Sequence, residues 1–188
     1  MLTIKVITAS TRPGRKGPAI ASWIHELAAA HTDCKVELLD LAVINLPFMD
    51  EANHPIMRKY EHQHTKDWSA MVDSADAFII VTPEYNHGFT APLKNAIDYL
   101  HQEWQYKPVG FVSYGGVAAG TRAVQMLKPI LSALKMVPVT ESVNIPMFTK
   151  YIDADGKFTG EEGLNRSAEL MLTEISKWAN TLKPLRAK

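Results

Sequence analysis

The feature that most limits how this chain can fold is an alternation of strand-like and helix-like segments from end to end. Short apolar runs rich in β-branched residues recur at residues 2–8, 35–39, 77–81, 108–113 and 136–139, the last resuming at 142–145. Between them, apolar residues return at helical spacing. The first helix is expected over residues 18–30, with Ile20, Trp23, Ile24 and Leu27 on one face. The second is expected over 56–73, after a loop at 45–55. Thr90 and Pro92 suit the cap and first turn of the third. The fourth is expected over 119–134, with Pro129 predicting a kink or an early end. Asp155-Gly156 reads as a turn, and Thr159 with Glu162 as a capping box for a last helix carrying Leu164, Met171, Ile175 and Leu182. Five strand–helix pairs of this length imply a parallel sheet covered on both faces.

Pro138 lacks a ladder donor, so the fifth strand belongs at a sheet edge. That fits an α/β three-layer, flavodoxin-like fold: a five-stranded parallel sheet of order 2-1-3-4-5 with helices on both faces, in one domain over residues 1–188. In that order, ligands bind outside the carboxyl ends of the strands, where the order reverses between the first and third. The loops after strands one, three and four should therefore meet at one crevice.

Lys plus Arg equals Asp plus Glu, 20 each, which argues against general affinity for nucleic acid or an anionic membrane. Neutrality also favours self-association. A single cysteine, Cys34, rules out an intrachain disulfide and is compatible with a reducing, cytoplasmic setting. The chain begins with strand-like sequence rather than a charged leader and apolar signal core, and no apolar run approaches a membrane span.

Loop one, Ser10-Thr11-Arg12-Pro13-Gly14-Arg15-Lys16-Gly17-Pro18, leads into the first helix. A helix N-terminus offers unpaired amides and the positive end of the dipole, worth about 0.3–1 kcal/mol to an anion at an exposed end. Arg12, Arg15 and Lys16 add charge, so the loop reads as a phosphate cradle, against the plainer reading of a solvated basic loop. It matches neither GxxxxGK[ST] nor GxGxxG. Loop three, Pro83-Glu84-Tyr85-Asn86-His87-Gly88, carries an acid, a phenol and a carboxamide suited to a flat heteroaromatic ligand. Loop four, Ser113-Tyr114-Gly115-Gly116 followed by Val117-Ala118-Ala119-Gly120, lets a flat ring approach backbone; taken alone it is equally a flexible turn.

These residues give the chain a resemblance to the NAD(P)H-dependent FMN reductases, a group that includes azoreductases, quinone reductases and chromate reductases. It rests on Ser10-x-Arg12, on Pro83-Glu84-Tyr85-Asn86 with Leu93-Lys94-Asn95-Ala96-Ile97-Asp98, and on Ser113-Tyr114-Gly115-Gly116, and spans roughly residues 2–146. By that resemblance, Ser10, Arg12 and the loop through Gly17, Pro18 and Ala19 would hold the FMN phosphate. Pro83, Glu84, Tyr85 and Asn86 would border the isoalloxazine, and Ser113, Tyr114, Gly115 and Gly116 its pyrimidine side or edge. Many relatives carry Ser and Asn later in the phosphate loop, where Arg15, Lys16 and Gly17 stand in this chain. The resemblance implies hydride transfer from NADPH or NADH to FMN, then reduction of a small acceptor (quinone, azo compound, free flavin or metal oxyanion) in ping-pong order. The flavin carries the chemistry, so no catalytic side chain is assigned; His87 is a candidate substrate contact. A homodimer or homotetramer is implied, with residues 99–104 a candidate for the boundary.

Two other functions fit less well: an FMN-binding redox sensor with incidental turnover, and a phosphorylatable receiver domain, for which Thr8-Ala9-Ser10 lacks the acidic cluster. His62 and His64, two apart on an expected helix, would face apart, so no metal site is assigned. Asp153-x-Asp155-Gly156 lacks the remaining ligands of a calcium loop.

Overall fold

The computed structural model describes residues 1–31 and 34–186. Strands β1 (Leu2–Thr8), β2 (Cys34–Asp40), β3 (Ala77–Pro83), β4 (Pro108–Tyr114) and β5 (Val137–Ile145) form one sheet in the order β2-β1-β3-β4-β5. Every neighbouring pair is parallel. The burial follows from this order. β3 and β4, covered on both faces, are buried along their whole length. β2 and β5, at the edges, mix buried and open positions. Pro138 lies on the edge strand, where a missing donor costs no ladder bond to a further strand.

Alternate residues of β3 feed two cores. Ile79 and Val81 join Ile4 and Val6 beneath α1 (Gly17–His31) and α6 (Glu162–Leu182). Phe78 and Ile80 join Phe111 beneath α3 (Gln63–Asp73), α4 (Ala91–Asp98) and α5 (Thr121–Ala133). A fully buried Ile or Phe contributes about 1.5–3 kcal/mol, so each face is anchored by several such residues. Gly110 leaves room for the layer above it: a Cβ there would lie 2.6 Å from Ile175 Cδ1 and 2.8 Å from Met171 Sδ, so those side chains of α6 would have to shift.

Several local expectations give way to tertiary contacts. The second helix does not start near residue 56. Pro55–Met57 is a single 3-10 turn, closed by Arg58 in the left-handed region at φ 51°, and the helix begins at Gln63. The loop at 45–55 is preceded by a short helix, α2 (Leu41–Ile44), capped by Asp40 Oδ1, which accepts from Ala42 N at 3.0 Å. α5 continues through Pro129 to Ala133, with the proline exposed on the outer side of the helix. The capping box fails: α6 starts at Glu162 after Glu161, and Thr159 N donates to Tyr151 O instead. The Asp155-Gly156 turn forms between Ile152 and Phe158, which bridge antiparallel.

His62 lies before α3, not on it, so the two imidazoles do not face apart: they stack 5.2 Å apart at 7° beside Asp50. Among the described residues, no group of three His, Cys, Asp or Glu is placed to hold a metal. Tyr99 and Trp104 pack inside the chain, the indole donating to Ile97 O, so they are not exposed anchors for a subunit boundary. No helix among the described residues is long and apolar enough to cross a membrane.

Candidate functional site

Loops one, three and four meet at the carboxyl ends of β1, β3 and β4, where the strand order reverses. They enclose a crevice of about 200 Å³ lined by Arg12, Arg15, Lys16, Tyr85, Tyr114 and Phe148, with Pro83, Glu84, Gly115 and Gly116.

Loop one runs from the end of β1 to Gly17, the first residue of α1. Among the described residues, the amides of Thr11, Arg12, Gly14 and Lys16 have no hydrogen-bond acceptor; Arg15 N donates to Arg12 O at 3.2 Å. The first-turn amides of α1, including Ala19 after Pro18, have no intrahelical partner by construction. Arg12 and Lys16 are exposed and make no ion pair among the described residues. Arg15 differs. Its guanidinium grips both carboxylate oxygens of Asp40 at 2.6 and 2.7 Å and donates to Ser10 O at 2.8 Å, bracing the loop against the end of β2. Gly17 is required by packing. A Cβ there would fall 2.4 Å from Ser10 Oγ and 2.9 Å from the Tyr114 hydroxyl.

Loop three is held from two sides. Thr90 caps α4 through its side chain and donates its hydroxyl to Ala9 O at 2.8 Å, joining loop three to the end of β1. Glu84 accepts from Arg122 N at 3.1 Å at the start of α5 and pairs with the Arg122 guanidinium. Burial alone would raise the Glu84 carboxyl, but Arg122 outweighs it and holds the group below the usual carboxylate range. Glu84 is thus an anchored anion rather than a proton donor. Between these anchors, Tyr85 N donates to Gly88 O and Gly88 N to Tyr85 O, both at 2.9 Å. Asn86 and His87 have φ 50° and 69°. Two positive φ values in a two-residue turn make it type I′. It presents Tyr85, 40% exposed, at the crevice mouth.

Loop four contributes differently along its length. Ser113 is buried and turned to β5, its hydroxyl donating to Asn144 Oδ1 at 3.0 Å. Tyr114 crosses under loop one to reach Ser10 Oγ at 3.2 Å. Gly115 and Gly116 line the crevice, and their carbonyls accept from Phe148 N and Met147 N. Those bonds bring in Phe148, whose ring meets Tyr114 edge-on at 5.1 Å. Phe148 was missed in the sequence. Its one available signal was its position just beyond the carboxyl end of β5, on the ligand-binding side of a parallel sheet. The structure therefore gathers Arg12, Arg15, Lys16, Pro83, Glu84, Tyr85, Tyr114, Gly115 and Gly116 around one crevice, with Ser10 and Gly17 beneath. It directs Ser113 elsewhere.

Comparison with known proteins agrees with this geometry. The family described as NADPH-dependent FMN reductase matches residues 2–150. An NAD(P)H-dependent FMN reductase of Schizosaccharomyces pombe is 42% identical over 147 residues, covering 76% of this chain and 73% of that protein. Another, of Saccharomyces cerevisiae, is 33% identical over 160 residues, covering 79% and 83%. Among solved structures, the flavoenzyme NAD(P)H:(acceptor) oxidoreductase FerB of Paracoccus denitrificans superposes with a TM-score of 0.72 over 98% of each chain at 20% identity, a likeness of fold. With the match running from β1 to just past β5 and taking in all three loops, the chain belongs to the NADPH-dependent FMN reductase family.

Proposed function

We propose that this oxidoreductase holds FMN in the crevice described above and uses NADPH or NADH to reduce a small, flat acceptor, with donor and acceptor occupying the same face in turn. The observation that carries the reading is loop one. Among the described residues it has four unpaired backbone amides, two unpaired cations and a helix N-terminus, all beside the crevice and with no anion of those residues to satisfy them. A dianionic phosphate ester is the ligand group that such a donor set fits.

Within this reading, Arg12, Lys16 and the amides from Thr11 to Ala19 bind the phosphate, while Arg15 holds the loop in shape from Asp40. When bound, FMN supplies the two-electron redox chemistry. The chain's task is orientation. Glu84, fixed by Arg122, and Thr90, fixed on Ala9, set the height of the type I′ turn, so that Tyr85 and Asn86 border the ring plane. Gly115 and Gly116 let the ring approach backbone. The exposed Tyr85 ring at the crevice mouth offers a surface on which a flat acceptor such as a quinone or an azo compound can stack.

Steady-state kinetics of the FMN-loaded protein with NADPH or NADH and a soluble quinone tests this. Parallel double-reciprocal lines are expected as the second substrate is varied. Converging lines would overturn the shared site, and slow anaerobic bleaching with negligible turnover would overturn the acceptor-reducing role.

A further inference from the structure

The Tyr114 side chain is almost closed to solvent, at 3% exposure, yet its hydroxyl ends beneath loop one against Ser10 Oγ. A buried phenol left without an acceptor is costly. Ser10 Oγ is the acceptor it finds among the described residues. A serine hydroxyl has one proton and two lone pairs. With the phenol donating, a lone pair is used and the serine proton remains to be placed. No acceptor among the described residues takes it, although Ser10 is itself only 1% exposed. The side facing α1 is closed, since a Cβ on Gly17 would lie 2.4 Å from Ser10 Oγ and 2.9 Å from the Tyr114 hydroxyl, which leaves the side of loop one for a partner. An unspent donor on a buried side chain, next to the unpaired amides of Thr11 and Arg12, marks a place for an anionic oxygen.

We infer that Tyr114 is a positioning residue for the FMN phosphate: by donating to Ser10 Oγ, it obliges Ser10 to donate in turn to a phosphate oxygen. The inference rests on the proposed FMN site and assigns Tyr114 to the phosphate end rather than the ring edge. Burial pushes the phenol up to about 12, so it remains a donor throughout the working pH range. Its ring is held separately by Phe148, so removing the hydroxyl alone leaves that packing in place.

The test compares FMN with riboflavin, which lacks the phosphate, by quenching of flavin fluorescence. Tyr114→Phe should lower FMN affinity about five- to tenfold and leave riboflavin affinity within about twofold. Ser10→Ala should lower the preference for FMN over riboflavin about tenfold or more, the bond it removes being charge-assisted. The double variant should bind FMN no more weakly than Ser10→Ala, because the phenol acts only through the serine. Equal loss of both flavins in Tyr114→Phe, or a double variant in which the losses multiply, overturns the inference. If Tyr114→Phe does not fold, Ser10→Ala still decides, since an unchanged FMN preference there overturns it as well. A wild-type chain that binds neither flavin overturns the site reading itself, a different result from binding both without a phosphate preference.

Discussion

At the amino ends of the strands, a cavity of about 710 Å³ is ringed by Arg58, Lys107, Lys183 and Arg186; at the carboxyl ends, a crevice of about 200 Å³ is ringed by Arg12, Arg15 and Lys16. The larger cavity has its cations answered from within the chain. Arg58 pairs with Asp73 and Glu103, and Lys183 and Arg186 with Asp76. Lys107, 3% exposed, donates to the Val72 and Asp73 carbonyls at the end of α3. In the smaller crevice Arg15 is answered by Asp40, while Arg12 and Lys16 have no ion-pair partner among the described residues. Volume therefore does not distinguish a binding site from a structural one here. The state of the donors does: paired charges join elements of the fold, while unpaired ones remain available to a ligand.

The contrast predicts that variants at the two ends separate ligand affinity from stability. The largest expected effect is at the carboxyl end. Gly17→Ala drives a methyl into Ser10 Oγ and the Tyr114 hydroxyl and so displaces the serine; the overpacking also costs folding about 1–3 kcal/mol, so in this variant both readouts move. Loss of a charge-assisted Ser10 bond worth about 2 kcal/mol should lower FMN affinity roughly thirtyfold, and a fluorescence titration within threefold of wild type would break the contrast. Next is Asp76→Asn at the amino end, which weakens bonds to Arg186, Lys183 and Thr3 N. Urea unfolding at neutral pH should show a loss of about 2 kcal/mol, a typical figure for hydrogen bonds to charged groups, with FMN affinity unchanged. Burial alone would raise this carboxyl, but Thr3 N and Arg186 outweigh it and hold it low. Its contribution is thus present above the ordinary Asp range and is lost as pH falls through the depressed value.

Lys107 sharpens the comparison through pH. Burial lowers its ammonium to about 7, against an unfolded value near 10.5. Between those values the unfolded chain binds the extra proton, so stability rises with pH, by at most about 1.4 kcal/mol per unit. Below about pH 7 both states are protonated and this slope vanishes. Lys107→Met should remove the rise between pH 7 and 10 in urea titrations; an identical slope in the variant would show that another group is responsible. The smallest effect is expected for Arg12→Ala. It should cost FMN about 1 kcal/mol, the order of one exposed charge-assisted contact, diminish with added salt, and leave riboflavin affinity and stability unmoved.

Much of the site was legible because its signals are local. The alternation of apolar runs and helical periods marks which strands are buried, and Pro138 marks an edge. A basic, glycine-bearing segment after β1 marks one wall of the crevice, and Pro83-Glu84-Tyr85 after β3 marks the opposite wall. The rest was not legible where distant groups compete for local ones. Helix start signals at residue 56 lose to the turn that ends at Arg58, and to Glu51, which accepts from Glu61 N and His62 N ahead of α3. Arg15 looks like a free phosphate ligand until Asp40, 25 residues away, takes its guanidinium. Ser113 belongs to a loop motif, yet its hydroxyl turns to Asn144 on the neighbouring strand.

The sequence by itself determined the layers, the strand order and which three loops share a crevice. Burial periodicity, turn residues and the position of a proline are properties of short segments, and parallel sheets leave few ways to connect them. Only the tertiary structure decided which donors in those loops are spent and which are free. Hydrogen-bond saturation depends on partners that lie far apart in the chain, such as Tyr114 and Ser10, 104 residues apart, and no spacing rule reaches that distance.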